Sequence, residues 1–302
     1  MANYQNIVRL RPEVREFIRN RRWVHRGDVI TYGPNIACDS FSTDAAGFRH
    51  SRFRGETLSV ADCLQRERYG LVLGPSNVYG FGLGGNGNTI PSLLAERFGF
   101  AFANVGLPEG NSRNLFSLLA AFLARASRAP AVVLHLSGGD FTSFCYTSLA
   151  DPVFGSPNLR QMEDALKERG GRRPAAAQQM KPLLAFTTLW ISAIASLCAS
   201  RKIPFVLGDD VTFFEKGEPS DTDRRCELGK PTSAHQERQF EIHRRHVRDY
   251  HARRQAVAAA QSVPLAGPGF GNDIGFIDEF HYDRQGTVDL TDHFARAIEP
   301  LL

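Results

Sequence analysis

Residues 69–110 read YGLVLGPSNVYGFGLGGNGNTIPSLLAERFGFAFANVGLPEG. The apolar run Leu71-Val72-Leu73 is cut off by Gly74-Pro75, and Ser76 follows in the turn. A loop dense in glycine and asparagine leads to Ile90–Phe98, which has helical spacing and Pro91 in the first turn, where a missing N–H costs little. A second apolar run, Phe100 to Val105, ends at Gly106. The order strand, serine-bearing turn, helix, strand places a hydroxyl at the carboxyl edge of a parallel sheet.

Downstream the alternation continues. A helix is expected from Ser112 to about Ala126, capped by Asn111 or Ser112, and a buried parallel strand from Ala131 to Leu136. Ser137-Gly138-Gly139-Asp140 closes that strand. Residues 141–181 break the rhythm with Pro152, Gly155, Pro157 and Gly170-Gly171-Arg172-Arg173-Pro174, and read as an insertion that forms a lid or specificity loop. A buried apolar helix from Pro182, a strand Ile203–Leu207 ending in Asp209-Asp210, and a polar, locally disordered loop over 215–234 follow. Then come a long basic helix, 236–260, a short strand near Val263–Leu265, and a closing helix from Val288. Alternating strands and helices make this an α/β protein with a mainly parallel sheet. Residues 1–68 read as an N-terminal extension whose short strands lengthen or cover that sheet, and 69–302 as the main domain.

The 302 residues suffice for a large core, and a net charge of +4 is too small to demand an anionic polymer as partner, so nucleic acid is not expected. The first residues are charged throughout, with no apolar region of a secretory signal, and no membrane role is expected. Cys38, Cys63, Cys145, Cys198 and Cys226 are scattered and odd in number, so a reducing cytoplasm is the expected location.

Near the far end stands Asp278-Glu279-Phe280-His281. A carboxylate three residues before a histidine can turn back onto the ring's Nδ1–H, fix the tautomer, and leave Nε2 to take a proton from a serine. Ser76 is the candidate nucleophile. An ester-cleaving serine also needs donors for a developing oxyanion. The Ser76 N–H qualifies, with Gly110 or Gly106 as a second donor and the Ser137–Asp140 corner as a third.

Together these blocks resemble the SGNH (GDSL-like) hydrolase superfamily. Gly74-Pro75-Ser76 corresponds to the nucleophile block, Asn104 to Gly110 to the glycine block, Ser137 to Asp140 to the third block, and Asp278 to His281 to the terminal one. The resemblance covers roughly 69–145 and 274–302 and implies a flavodoxin-like three-layer α/β/α sandwich. It implies Ser76 as nucleophile, His281 as base, Asp278 as its orienter, and no cofactor or metal. The usual Gly-Asp-Ser reads Gly-Pro-Ser here. The asparagine that donates into the oxyanion hole has Asp140 as its nearest equivalent, and an ionised carboxylate cannot donate. Asn77, Asn111 and Asn114 are candidate substitutes. The implied chemistry is hydrolysis or transfer of a small O-acyl group, such as acetyl on a sugar or natural product. The alternative is a catalytically altered protein that keeps the fold to bind a ligand.

Other motifs point elsewhere. Gly80-x-Gly82-x-x-Gly85 matches the dinucleotide fingerprint in form but lies too far from its strand, and no acidic residue ends the next one. On helix 236–260, His243, His246 and His251 spread too far round to share a metal. That helix reads as a solvated amphipathic face, with a patch for an anionic partner, a carrier protein or nucleotide-linked sugar, as the second reading. His135 reads as a core histidine.

Overall fold

The computed structural model describes residues 4–26, 29–147, 153 and 180–302. The chain opens with helices α1 (Tyr4–Leu10) and α2 (Pro12–Asn20). Strands β1 (Trp23–Arg26) and β2 (Val29–Tyr32) pair antiparallel, as do β3 (Ser51–Phe53) and β4 (Glu56–Leu58), before helix α3 (Val60–Leu64). Neither hairpin joins the main sheet. The expectation that these strands lengthen it is therefore corrected: each pairs only with its hairpin partner, and the outward Arg52 N–H of β3 donates to Ser92 Oγ at 2.9 Å instead of to a sheet strand.

The main sheet holds five parallel strands in the order β6-β5-β7-β8-β9. They are β5 (Tyr69–Gly74), β6 (Ala101–Gly106), β7 (Val132–Leu136), β8 (Phe205–Gly208) and β9 (Leu265–Ala266). After β5 come the one-turn helix α4 (Ser76–Tyr79) and α5 (Ile90–Phe98); α6 (Ser112–Arg125) follows β6, and α7 (Gly138–Thr147) follows β7. Helix α8 (Met180–Ser200) precedes β8, α9 (Asp221–Arg225) and α10 (Ala234–Ala260) lie between β8 and β9, and α11 (Arg284–Ile298) closes the chain.

Alternation along the strands builds three layers. Val72, Leu134 and Val206 face Ile90 and Leu94 of α5 and Leu290 and Phe294 of α11. Leu71, Leu73, Val133 and Leu207 face Leu115 and Leu119 of α6, Ile191 and Ile194 of α8, and Val257 of α10. All eight sheet-facing α5, α11, α6 and α8 residues named here are wholly buried, each contributing about 1.5–3 kcal/mol of transfer free energy. The architecture is the expected three-layer α/β/α sandwich. The chain runs from β5 out to β6, then back past β5 to β7, so β5 borders the switch point where such sheets hold ligands.

The N-terminal residues share this core. Ile7 and Val14 belong to the cluster that contains Val72, Ile90 and Ile277. Arg49 is 1% exposed and donates to the carbonyls of Ser40, Gly80, Leu83 and Gly85 and to Asn86 Oδ1. The glycine loop after α4 thus wraps an arginine side chain with its carbonyl oxygens.

Three further expectations change. Residues 215–234 are not a loose loop: Glu215 is buried, Lys216 pairs with buried Asp223 at 2.8 Å, and α9 occupies Asp221–Arg225. Helix α10 is not merely solvated, because His243, His251 and Arg254 are buried beside an apolar stripe of Phe240, Val247, Tyr250 and Val257. Helix α8 is apolar and long enough to span a membrane by composition, yet one face, including Leu183, Phe186 and Ile191, is buried while Leu189 is exposed. Most of the 141–181 insertion lies outside the described residues.

Candidate active site

At the end of β5, Pro75 caps α4 in an extended conformation and Ser76 opens its single turn. The turn ends at Gly80, whose φ of 84° is left-handed backbone suited to glycine. A close approach fixes the turn: a Cβ on Gly106, at the end of β6, would lie 2.1 Å from the Tyr79 nitrogen.

The far side comes from the loop before α11. Phe276 and Tyr282 form an antiparallel bridge, Ile277 N–H donates to His281 O at 2.7 Å, and the Tyr282 hydroxyl donates to Val211 O at 2.8 Å. Inside this loop Asp278 Oδ1 accepts the N–H groups of Phe280 and His281 at 2.9 Å each. Both Asp278 oxygens lie 2.8 Å from His281 Nδ1, and His281 Nε2 lies 2.7 Å from Ser76 Oγ. Because the carboxylate only accepts, Nδ1 carries the proton and Nε2 accepts from the Ser76 hydroxyl. Burial works to raise the Asp278 pKa, but the His281 ring and the two backbone donors outweigh it and hold the group below the usual carboxylate range. Phe81 stacks on the imidazole with centroids 4.2 Å apart and planes 27° from parallel, which fixes the ring's second face.

The four residues expected on the oxyanion side have other partners. Gly110 N–H donates to Leu107 O at 3.2 Å, and Gly106 N–H to Asn104 Oδ1 at 3.0 Å. Asn111 Oδ1 caps α6 by accepting Asn114 N–H at 3.0 Å. Asp140 turns into the interior, where its two oxygens accept the Ser112 N–H and hydroxyl, each at 2.7 Å. Its oxygens are therefore taken up by Ser112, and it offers no donor at Ser76. The corner beside Pro75 belongs to Gly139, whose Cβ would lie 2.9 Å from Pro75 Cβ and 2.1 Å from Gly110 O. No side chain fits there, so no asparagine can. Ser76 and Gly139 both lie in first helical turns, where N–H groups have no acceptor within their own helix.

Behind this corner lies a buried ionic network that sequence reasoning touched only through Asp209-Asp210. Gly138 N–H donates to both Asp210 oxygens, at 3.0 and 2.9 Å. Arg254 bridges Asp210 at 2.8 Å and Asp209 at 2.5 Å. His251 faces Asp209 through Nδ1 at 2.8 Å and Glu215 through Nε2. Burial and Arg254 press the His251 pKa down, but the two carboxylates prevail and raise it, consistent with an imidazolium. Burial lifts Asp210 to about 6 despite Arg254. A small polar cavity opens here between Asn77, Gly138, Asp210, Arg254 and Phe280. His243 donates to or accepts from Thr212 Oγ1 at 2.8 Å, and His135 lies 3.1 Å from Ser112 Oγ, so both serve buried polar contacts.

Gly139 falls within the Ser137–Asp140 corner named from the sequence, whereas Phe81, Arg254 and Glu215 were not singled out. The aromatic within Gly80-Phe81-Gly82 is a local signal for the first; the others sit on distant elements with no shared spacing.

No protein-family model matches the chain, and no curated protein matches it. Among solved structures it is similar to a GDSL-like lipase from Bacteroides thetaiotaomicron, at 17% identity and a TM-score of 0.45 over 78% of this chain and 90% of that one. It is also similar to a carbohydrate esterase family 2 enzyme with a carbohydrate binding domain from Corynascus thermopiles, at 14% identity and a TM-score of 0.46 over 86% and 74%. A third similar structure is the SGNH-hydrolase family esterase AlinE4, at 16% identity and a TM-score of 0.34 over 66% and 75%. The chemistry therefore rests on Ser76, His281 and Asp278 themselves.

Proposed function

We propose that the protein is a serine-dependent enzyme of SGNH type that cleaves or transfers the acyl group of a small ester through an acyl-Ser76 intermediate. The observation that carries this reading is the unbroken relay of 2.7 Å from Ser76 Oγ to His281 Nε2 and 2.8 Å from Nδ1 to Asp278. Ser76 Oγ attacks the ester carbonyl as His281 takes its proton, and Asp278 stabilises the resulting imidazolium. Collapse of the tetrahedral adduct expels the alcohol, which receives the proton from His281. Water or another hydroxyl then enters by the reverse route. The N–H groups of Ser76 and Gly139 meet the oxyanion, in place of an asparagine amide.

The similar lipase and esterases support ester chemistry for the same fold. The substrate expected is an O-acylated small molecule, and the choice between water and an acceptor follows from how dry the pocket is when loaded.

Intact-mass labelling with a fluorophosphonate tests the reading. One adduct on the wild type, absent from Ser76→Ala, together with turnover of short-chain acyl esters, is expected. A folded protein that neither labels nor turns over any ester sinks it and favours a ligand-binding role for the fold.

A further inference from the structure

We propose that Arg21, at the end of α2, anchors a negatively charged group on the substrate, so that the ester acted on is an acylated small anion bearing a carboxylate or a phosphate. The inference rests on the ester-cleaving reading above and adds the substrate class to it.

The first observation is position. The Arg21 guanidinium carbon lies 5.7 Å from the centroid of Phe81, and Phe81 stacks on His281. A permanent positive charge thus stands one aromatic ring away from the base. Its backbone is held by the N–H bond to Phe17 O at 3.0 Å, and Phe17 is wholly buried among Tyr32, Phe41, Tyr79 and Phe81. The anchor is therefore built on a rigid aromatic cluster shared with the site.

The second observation is how the side chain is held. Arg21 lies 5.6 Å from the ring of Trp23, itself 38% exposed, and beside the Tyr32 phenol. Among the described residues no carboxylate pairs with it. Arg49, nearby in the fold, shows what a structural arginine does here: it is sealed in and its donors go to carbonyl oxygens. Arg21 is half-buried, lies over the Trp23 and Phe81 rings and hydrogen-bonds the Tyr32 phenol, a pose that leaves its remaining N–H donors for a planar oxyanion.

The third observation is charge distribution. Residues 1–26 carry seven arginines and two glutamates, more than the whole chain's surplus of +4. The remaining chain is near neutral, so the basic field is concentrated on the segment that flanks the site.

The test compares three acetates: 4-acetoxybenzoate, its uncharged methyl ester, and 4-acetoxyphenyl phosphate. Wild-type kcat/KM is expected to favour the charged acetates over the methyl ester by about tenfold, the scale of one partly exposed charge-assisted hydrogen bond. The preference lies mainly in KM and shrinks at high salt. Whichever anion is favoured more identifies carboxylate or phosphate as the natural group. Arg21→Gln removes most of the preference. Arg201→Gln, an equal charge change on an exposed turn after α8, keeps it. A wild type that cleaves the methyl ester as well as the anions, or an Arg21→Gln protein with the same preference, overturns the inference while leaving the esterase intact. If no ester is turned over, binding of 4-acetoxybenzoate and its methyl ester to the Ser76→Ala protein, by calorimetry, decides: equal affinity for the two sinks the anchor, and a preference lost in Ser76→Ala/Arg21→Gln upholds it.

Discussion

Asp140 accepts both the backbone N–H and the hydroxyl of Ser112, each at 2.7 Å. Burial raises its pKa from 3.8 to about 7, against the lowering effect of those two bonds. Across that interval the folded chain holds a proton that the unfolded chain has lost, so stability is full below the unfolded value and falls as pH rises through the folded one. Asp140→Asn removes this loss. Its melting temperature relative to wild type is expected to climb from about pH 5 to about pH 8. Parallel curves for the two proteins would contradict a raised Asp140.

Asp278 fixes the tautomer of His281 from within the same turn. Asp278→Asn keeps an acceptor for the Phe280 and His281 N–H groups but lets its amide face Nδ1 and reverse the tautomer. Ester turnover should fall on the order of 10³–10⁴-fold with little change in melting temperature. A drop of less than about tenfold would remove His281 from the role of base.

Gly139 faces backbone, which cannot move aside as a side chain would. Gly139→Ala puts a Cβ about where 2.1 Å separates it from Gly110 O. The first turn of α7 must then shift away from Ser76, and steady-state kinetics should show kcat falling by more than tenfold, roughly the loss of an oxyanion donor. Wild-type kcat in this variant would mean that Gly139 takes no part in the oxyanion hole.

Arg254 is the cation that balances Asp209 and Asp210 in a nearly dry interior. Arg254→Met leaves those carboxylates without it, and urea unfolding should show a loss of about 3–5 kcal/mol. Asp210→Asn, which keeps an acceptor for Gly138 N–H, should lose less. The reverse ranking would show that Asp210, not the arginine, holds the network together.

Arg49 satisfies four carbonyls at once. Arg49→Lys has three donors in a different geometry and cannot reach them all, so a loss of about 2–4 kcal/mol and faster proteolysis within the 80–88 loop are expected. Unchanged protease resistance would show that the loop holds itself.

Much of this protein was written locally. The apolar runs of β5, β6 and β7, the first-turn proline of α5, the Asn111 cap of α6 and the Asp-x-x-His turn fix their elements through neighbours a few residues away, so the α/β alternation and the Ser76, Asp278 and His281 positions were legible in the sequence. Whether Ser76 and His281 meet, 205 residues apart, depends on β5 lying at the switch point of the sheet and on the closing loop folding back onto it. Gly110, Gly106 and Asn111 take partners two or three residues away, but tertiary packing alone decided the distant pairings: Asp140 was drawn to Ser112, and α10 turned His251 and Arg254 inward because buried Asp209, Asp210 and Glu215 needed compensating charge. A short-range pattern records backbone preference and apolar spacing; the competition of distant polar groups for one another is settled only when the layers close.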